Sequence, residues 1–387
     1  MQIPDRPVLL IHKSYQHHRR LPELFEVLEG EVGGDVTLAV AVNLPCQRPE
    51  QARQFLEGID AATLRVADPV IHCRSDQLGG ATKKAVRVPY ISEAWPARPD
   101  DGLIQDLFDR QLDVGANVLL TPTGLVDDSD PRRELAAAIE WVQTARQLGP
   151  AAPMFVSLTV THRWLTNERL RDRLLEELVE SSERLWYVRV RWEVVKPPYS
   201  QQRDHDLLRG YKELAAAARS ESKSIVFPTS GLTGWLATAY GAAGLGTGVG
   251  PSEQGFAERP VIRLPAGVSR IPKKRYFERA LLHTVDLSTH TALLGSPGYL
   301  LCDCRFCKEL DAANPAVDPA NWDKEAAALH ALVQTGRLLA TLRVADPQAE
   351  ARSEVARART FAAAFSASVL NGDNRPRHLE AWDRALQ

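Results

Sequence analysis

Three cysteines fall in one short stretch, Cys302-Asp-Cys304-Arg-Phe-Cys307, which places three thiols on one tight turn. Thiolates are strong zinc ligands, and a structural zinc site is tetrahedral, so the turn needs a fourth donor from elsewhere in the chain. His330 is well placed, inside a helical pattern expected over 322–343, and His283 and His290, which precede the cysteines, are alternatives. An iron–sulfur cluster would normally want a fourth cysteine, so zinc is the expected metal. With all four positions filled by protein, it is structural rather than catalytic. Cys46 and Cys73 stand alone. The five cysteines therefore make no disulfide framework and point to a reducing compartment, with a cytoplasmic protein as the expectation.

The elements that must position these groups are legible as alternation. Runs rich in Val, Ile and Leu at 8–12, 37–43, 69–73, 117–121, 154–161, 186–192, 225–228 and 244–249 predict strands. Helical patterns at 21–31, 50–57, 103–112, 131–147, 167–180, 204–217 and 232–240 lie between them, with Asp130 as an expected N-cap before Pro131. Eight strands, each followed by a helix or loop, fit a closed (β/α)8 TIM barrel over residues 1–250, with an open doubly wound sheet as the alternative. Residues 251–387 read as a zinc-binding and helical C-terminal subdomain. It holds a short strand at 259–264 and Ala-rich helices at 322–343, 350–368 and 377–386.

The chain has 387 residues, 44% hydrophobic and 25% charged, enough to fill a sizeable core. A formal charge of -2 excludes a protein that coats nucleic acid by bulk charge, though not a local basic patch. Residues 224–252 carry no charge and are long enough to span a bilayer, but Pro228 and seven glycines between 231 and 250 divide them into strand, helix and strand. The first sixteen residues have no basic segment ahead of an apolar core, so no signal peptide is expected.

The cysteine stretch followed by a helical histidine, placed after a βα barrel, resembles the zinc subdomain of the tRNA-guanine transglycosylases. His330-Ala-Leu332-Val-Gln-Thr-Gly336-Arg-Leu338-Leu339 is similar to that family's His-x-Leu-x-x-x-Gly-x-x-Leu helix, and the resemblance covers residues 299–345. It implies that Cys302, Cys304, Cys307 and His330 hold Zn2+, and that the subdomain helps grip RNA. It also implies exchange of a guanine for a 7-deazaguanine, with one aspartate attacking the ribose C1′ and a second serving as acid/base. The expected nucleophile position, at the end of the eighth strand, reads Gly244-Leu-Gly-Thr-Gly-Val-Gly250-Pro-Ser-Glu253, without an aspartate. The family's Asp-Ser-Gly-Gly-Phe-Gln segment has a partial echo in Ser75-Asp76-Gln77-Leu78-Gly79-Gly80. Its base-recognition aspartate falls near Thr121-Pro122-Thr123, with Asp127 and Asp128 a few residues on.

Barrel active sites gather at the C-terminal ends of the strands. A glycosyl transfer needs one carboxylate near C1′ and one acid/base for the leaving base. Asp76, Glu193 and Glu253 are the carboxylates expected there. His162 and Arg163 are candidates for an anionic substrate group, and the backbone of Gly248 and Gly250 for a phosphate. Lys83 and Lys84 in the third βα loop, and Arg270, Lys273, Lys274 and Arg275 beside Tyr276 and Phe277, are residue types suited to phosphate contact and base stacking. A third basic cluster runs from His12 to Arg20. Three readings follow: a transglycosylase-like enzyme on RNA or DNA, a non-catalytic nucleic-acid-binding or partner subunit on the same frame, or a barrel enzyme on a phosphorylated small molecule. A protein partner or a second copy of the chain is compatible with each; a membrane is not expected.

Overall fold

A computed structural model of the chain describes residues 6–13, 19–74, 95–195, 201–260, 275–314 and 323–387. Strands β1 (Val8–Lys13), β2 (Thr37–Asn43), β3 (Leu64–Asp68), β4 (Leu119–Leu120), β6 (Met154–Thr161), β7 (Leu185–Val195), β8 (Ser224–Phe227) and β9 (Gly244–Gly248) are the staves of a TIM barrel. They run in the order β3-β2-β1-β9-β8-β7-β6-β4, every neighbouring pair parallel. A single parallel bridge between Val66 and Val118 brings the two ends of that order together, so the barrel is nearly closed. The short β5 (Leu125–Val126) adds to β6, and β10 (Ala257–Pro260) to β7.

Alternation along the strands sorts side chains between two cores, because successive residues point to opposite faces. Val8 and Leu10, Ala39 and Ala41, Leu64 and Val66, Val118 and Leu120, with Phe155, Tyr187 and Val226, fill the interior. Their neighbours Leu9, Ile11, Leu38, Val40, Val188, Val190 and Ile225 face outward and meet the helices. Those helices are α1 (Leu21–Val32), α2 (Pro49–Glu57), α3 (Asp101–Asp113), α4 (Pro131–Leu148), the pair α5 (Arg163–Thr166) and α6 (Glu168–Glu180), α7 (His205–Ser220) and α8 (Gly231–Ala239). Asp100, Asn167 and Asp204 cap α3, α6 and α7 by accepting from the amides of Leu103, Leu170 and Leu207. Asp130 makes no such bond before α4; Pro131, with its φ already helical, marks that start instead.

The uncharged stretch 224–252 contains β8, α8 and β9, and α8 is buried along its whole length. Among the described residues no helix is long and apolar enough to cross a membrane. The third strand differs from its expected position. It is Leu64–Asp68, five residues earlier, and Ile71–Arg74 is a 3-10 turn. Arg65 and Asp68 interrupt the apolar run that would have marked it, and Pro69, which lacks an N–H for the ladder, ends it.

After β9 come α9 (Pro251–Gln254) and β10, then an antiparallel hairpin of β11 (Arg275–Glu278) and β12 (His283–Asp286). Helices α10 (Leu287–Leu294), α11 (Arg305–Leu310), α12 (Lys324–Thr341), α13 (Pro347–Ala363) and α14 (His378–Ala385) complete the chain. The barrel's ring of helices is completed by α12, which packs against both α8 and α1. Trp235 of α8 donates its indole N–H to the carbonyl of Leu338 at 2.9 Å. Leu329, Leu332, Leu338 and Leu339 are fully buried, each worth about 1.5–3 kcal/mol of transfer free energy. The eighth strand and the eighth helix are thus separated in sequence by the whole cysteine-bearing segment.

Gly336 is the point of closest approach. A Cβ there would lie 2.7 Å from Leu28 Cδ2 of α1 and 3.4 Å from Leu9 Cδ2 of β1. Gly336→Leu gains up to about 1 kcal/mol of helix propensity but overpacks this contact, which costs about 1–3 kcal/mol or more. A net loss of stability is expected in urea unfolding. A variant as stable as the parent would show that α12 does not sit this close to the barrel.

Candidate functional site

Cys302, Cys304 and Cys307 meet His330 at the junction of α11 and α12, their ligand atoms all within 4.8 Å of one another. Cys304 is the residue before α11 and Cys307 lies in its first turn, so the cysteine spacing wraps all three sulfurs around the start of one short helix. His330 presents Nδ1 to the sulfurs, 3.0 Å from Cys307 Sγ and 3.5 Å from Cys304 Sγ. Its other nitrogen, Nε2, is 2.9 Å from the carbonyl of Phe277 in β11. That carbonyl can only accept, so Nε2 carries the hydrogen and the Nδ1 lone pair faces inward, the arrangement metal-ligating histidines use. Three buried or half-buried sulfurs and one inward lone pair at this separation form a donor set that fits a single metal ion.

The surroundings complete that fit. The Gln334 amide donates to Cys302 Sγ at 3.0 Å, and Tyr276 Oη lies 3.1 Å from Cys307 Sγ. The Tyr276 ring stacks on His330 at 4.3 Å between centroids. Arg337 joins Cys302 Sγ at 3.6 Å, Asp303 at 3.0 Å and Glu31 of α1 at 2.7 Å. Arg20 bridges Glu23 and Glu309, and Arg305 reaches Glu23 at 2.9 Å. The Cys3His cluster is therefore stitched to the first barrel helix on both sides.

A second constellation lies inside the barrel, one layer above the apolar plug, at the C-terminal ends of the strands. Along β7 the interior positions are Tyr187, Arg189 and Arg191, all buried. Arg189 forms an ion pair with Asp68, the last residue of β3, across the barrel. It also lies 3.1 Å from His72 Nδ1 and 3.4 Å from Thr159 Oγ1. Asp68 accepts from the Tyr187 hydroxyl at 3.3 Å and from the Val70 amide at 2.8 Å. Val70 is held at φ 53, a strained conformation for a β-branched residue, next to this carboxylate. Burial alone would raise the Asp68 carboxyl, but the Arg189 guanidinium holds it below the usual carboxylate range. Burial and then Arg189 push His12 of β1 down to about 4, and the same two causes push His72 well below its ordinary value. Both imidazoles are neutral at pH 7. The His12 ring fits because β9 carries glycine two residues below its ladder partner Gly248: a Cβ on Gly246 would lie 2.9 Å from His12 Nε2.

The residues singled out in the sequence fall in several places. Cys302, Cys304, Cys307 and His330 come together. His283 and His290 do not join them. His283 lies against Gln201 and Asp373, and His290 against Glu278 and the Ala312 carbonyl. Glu253 is buried after β9, where its carboxylate accepts from the Gly250 amide at 2.8 Å and packs on Gly248. Glu193 is exposed near the end of β7. Arg163 pairs with Asp128 at 2.9 Å, and the His162 amide donates to the Arg191 carbonyl at 2.8 Å. Arg275 is held by Thr284 and by the Asp373 carbonyl. Asp76, Lys83, Lys84, Arg270, Lys273 and Lys274 lie outside the described residues.

Asp68, His72, Tyr187, Arg189 and Arg191 are the residues the sequence reading passed over. One signal for three of them was present. Tyr187, Arg189 and Arg191 alternate with Trp186, Val188, Val190 and Trp192, and polar groups on every second position of a buried strand must share the interior of the sheet.

Comparison with protein-family models and with curated proteins finds no match for this chain. Fold and geometry define an α/β TIM-barrel protein with a Cys3His cluster able to hold a metal ion.

The buried histidines give a pH dependence with a definite sign. Burial and then Arg275 push His283 down to about 3, and burial and then His283 hold its stacked neighbour His378 well below the ordinary value. An unfolded histidine near pH 6.5 binds protons that His12, His72, His283 and His378 refuse in the folded state. Their contribution is therefore full above about pH 6.5 and lost as pH falls toward about 4, by at most about 1.4 kcal/mol per pH unit for each histidine. The urea midpoint is expected to drop between neutrality and about pH 5, and to drop less in His12→Asn. A flat midpoint over that range would contradict the burial of these imidazoles.

Proposed function

We propose that this protein is a divergent transglycosylase-like protein that takes a nucleotide of RNA or DNA at the barrel mouth, with Zn2+ in the Cys3His site. The observation that carries this reading is the clasp itself. Three cysteines around the start of α11 meet a histidine of α12, the helix that completes the ring of a TIM barrel, with the histidine's second nitrogen tied to a backbone carbonyl. Sulfur-rich tetrahedral donor sets favour zinc, which there would supply structure and no reaction step.

Asp68 is the carboxylate assigned to the glycosidic carbon, because it is the acidic group held inside the mouth by partners from across the barrel. In a base exchange, a carboxylate oxygen bonds to C1′ as the bond from C1′ to the base nitrogen breaks, and the departing base takes a proton from water, which the incoming base returns as its nitrogen bonds to C1′. The incoming base then displaces the carboxylate. Such a step would use a free lone pair of Asp68, while Arg189 keeps the group ionised.

A second reading, binding without chemistry, is favoured by one observation: both Asp68 oxygens already accept hydrogen bonds, Oδ1 from Val70 and Oδ2 from Tyr187 and Arg189. One experiment separates the two. The protein is incubated with bulk tRNA or DNA and a labelled guanine or 7-deazaguanine. Incorporation is then measured alongside a polynucleotide adduct that survives denaturation. The enzyme reading predicts both signals in the parent and their loss, by about a hundredfold or more, in Asp68→Asn. Salt-sensitive binding with no adduct would establish the second reading, and incorporation unchanged in Asp68→Asn would remove Asp68 from the chemistry.

A further inference from the structure

Arg191 is 4% exposed, yet its Nε and Nη1 have no hydrogen-bond partner among the described residues. Arg189, one layer below on the same strand, is neutralised by Asp68. Among the described residues no carboxylate forms an ion pair with Arg191, and the neutral imidazoles of His12 and His72 offset none of its charge. A buried cation without a counter-charge is strongly unfavourable unless something outside the chain supplies one. Other buried polar atoms near the strand ends are also unspent among the described residues. His12 Nε2 and Thr229 Oγ1 have no partner among the described residues, and both residues border Gly246, where a Cβ would meet His12 Nε2 at 2.9 Å and the Thr229 amide at 3.1 Å. Thr229 is held at φ 53 in the turn that leads from β8 into α8, a strained geometry kept at a strand end of the mouth.

We propose that the barrel mouth is an oxyanion site in which Arg191 receives a phosphate group, with His12 and Thr229 completing its polar surroundings. Arg191 supplies a planar fork of donors that matches two phosphate oxygens, which a lysine could not do. Phosphate suits this layer better than carboxylate because a tetrahedral anion accepts donors from several directions at once, and the unspent atoms come from β1, β7 and the turn after β8. The charge requirement holds whatever the chemistry at Asp68 is, so the site does not rest on base exchange. Its phosphate could belong to a nucleotide of a polynucleotide or to a free phosphorylated molecule.

The test is thermal unfolding of the whole protein in sodium phosphate, against sodium acetate and sodium chloride of equal ionic strength, for the parent, Arg191→Met and Arg191→Lys. Phosphate is expected to raise the parent's melting temperature beyond chloride and acetate. Its apparent affinity should fall about tenfold or more in Arg191→Met and less in Arg191→Lys, which keeps the charge but loses the fork. Without added anion, Arg191→Met should be at least as stable as the parent, because it removes an uncompensated charge at similar length. Phosphate protection equal in parent and Arg191→Met would overturn the proposal, as would protection by acetate equal to that by phosphate. A ligand-free Arg191→Met that is destabilised or unfolded would do the same, since the guanidinium would then have a partner in the protein. A single-stranded oligonucleotide and a nucleoside 5′-monophosphate are then added as competitors. Competition by the oligonucleotide assigns the group to a polynucleotide. Competition by the monophosphate alone leaves the phosphate site standing while the nucleic-acid reading fails.

Discussion

Three sulfurs and an imidazole, gathered closely enough to share one cation, mark the point where this chain closes on itself. A TIM barrel is complete when its last helix lies between the first and the one before it. Here that helix, α12, arrives only after β10, the β11–β12 hairpin and two further helices. Chain connectivity alone would leave it a long, entropically costly closure. His330 sits on α12 and the cysteines at the start of α11, so one metal ion would join the excursion to the ring at the point where the ring is completed. The Arg337, Arg20 and Arg305 ion pairs point the same way, tying this junction to α1. They are partly exposed, and such pairs are worth about 1 kcal/mol or less each, so the ordering rests on the buried leucines of α12 and on the ion that the Cys3His cluster would hold.

With the ring closed, the interior obeys a simple division. The lower layers are apolar and need no partner; the upper layer is charged and must balance. Asp68 and Arg189 balance each other from β3 and β7. Neutral His12 and His72 fill space without adding charge. Among the described residues Arg191 is left over, and the glycines of β9 give the room of a side chain to His12 and Glu253. A mouth of this kind is prepared for a negatively charged visitor, and the turns after β3 and β8, each carrying a β-branched residue at positive φ, hold it in shape.

How much of this was legible in the sequence follows from the range over which each feature is specified. The metal donors were legible because three of them are adjacent and the fourth lies on a helix whose own pattern is distinct. The barrel was legible because strand and helix periodicities differ and alternate. The third strand was displaced by five residues because Arg65 and Asp68 belong to a strand yet break an apolar run. That displacement moved attention to Asp76 and away from Asp68. The pairing of Asp68 with Arg189 joins residues 121 apart in sequence, so it exists only once the barrel has brought β3 and β7 face to face. Glu253 shows the reverse case: an acidic residue at the expected strand end whose carboxylate packs on its own loop.

The most direct test of this account is the metal content of the purified protein, measured together with its unfolding before and after a strong chelator. The account predicts one zinc per chain, lost in Cys304→Ser, and a large cooperative loss of stability when the metal is removed. Protein that carries no stoichiometric metal, or that unfolds identically with and without it, would contradict the claim that the clasp secures the eighth helix.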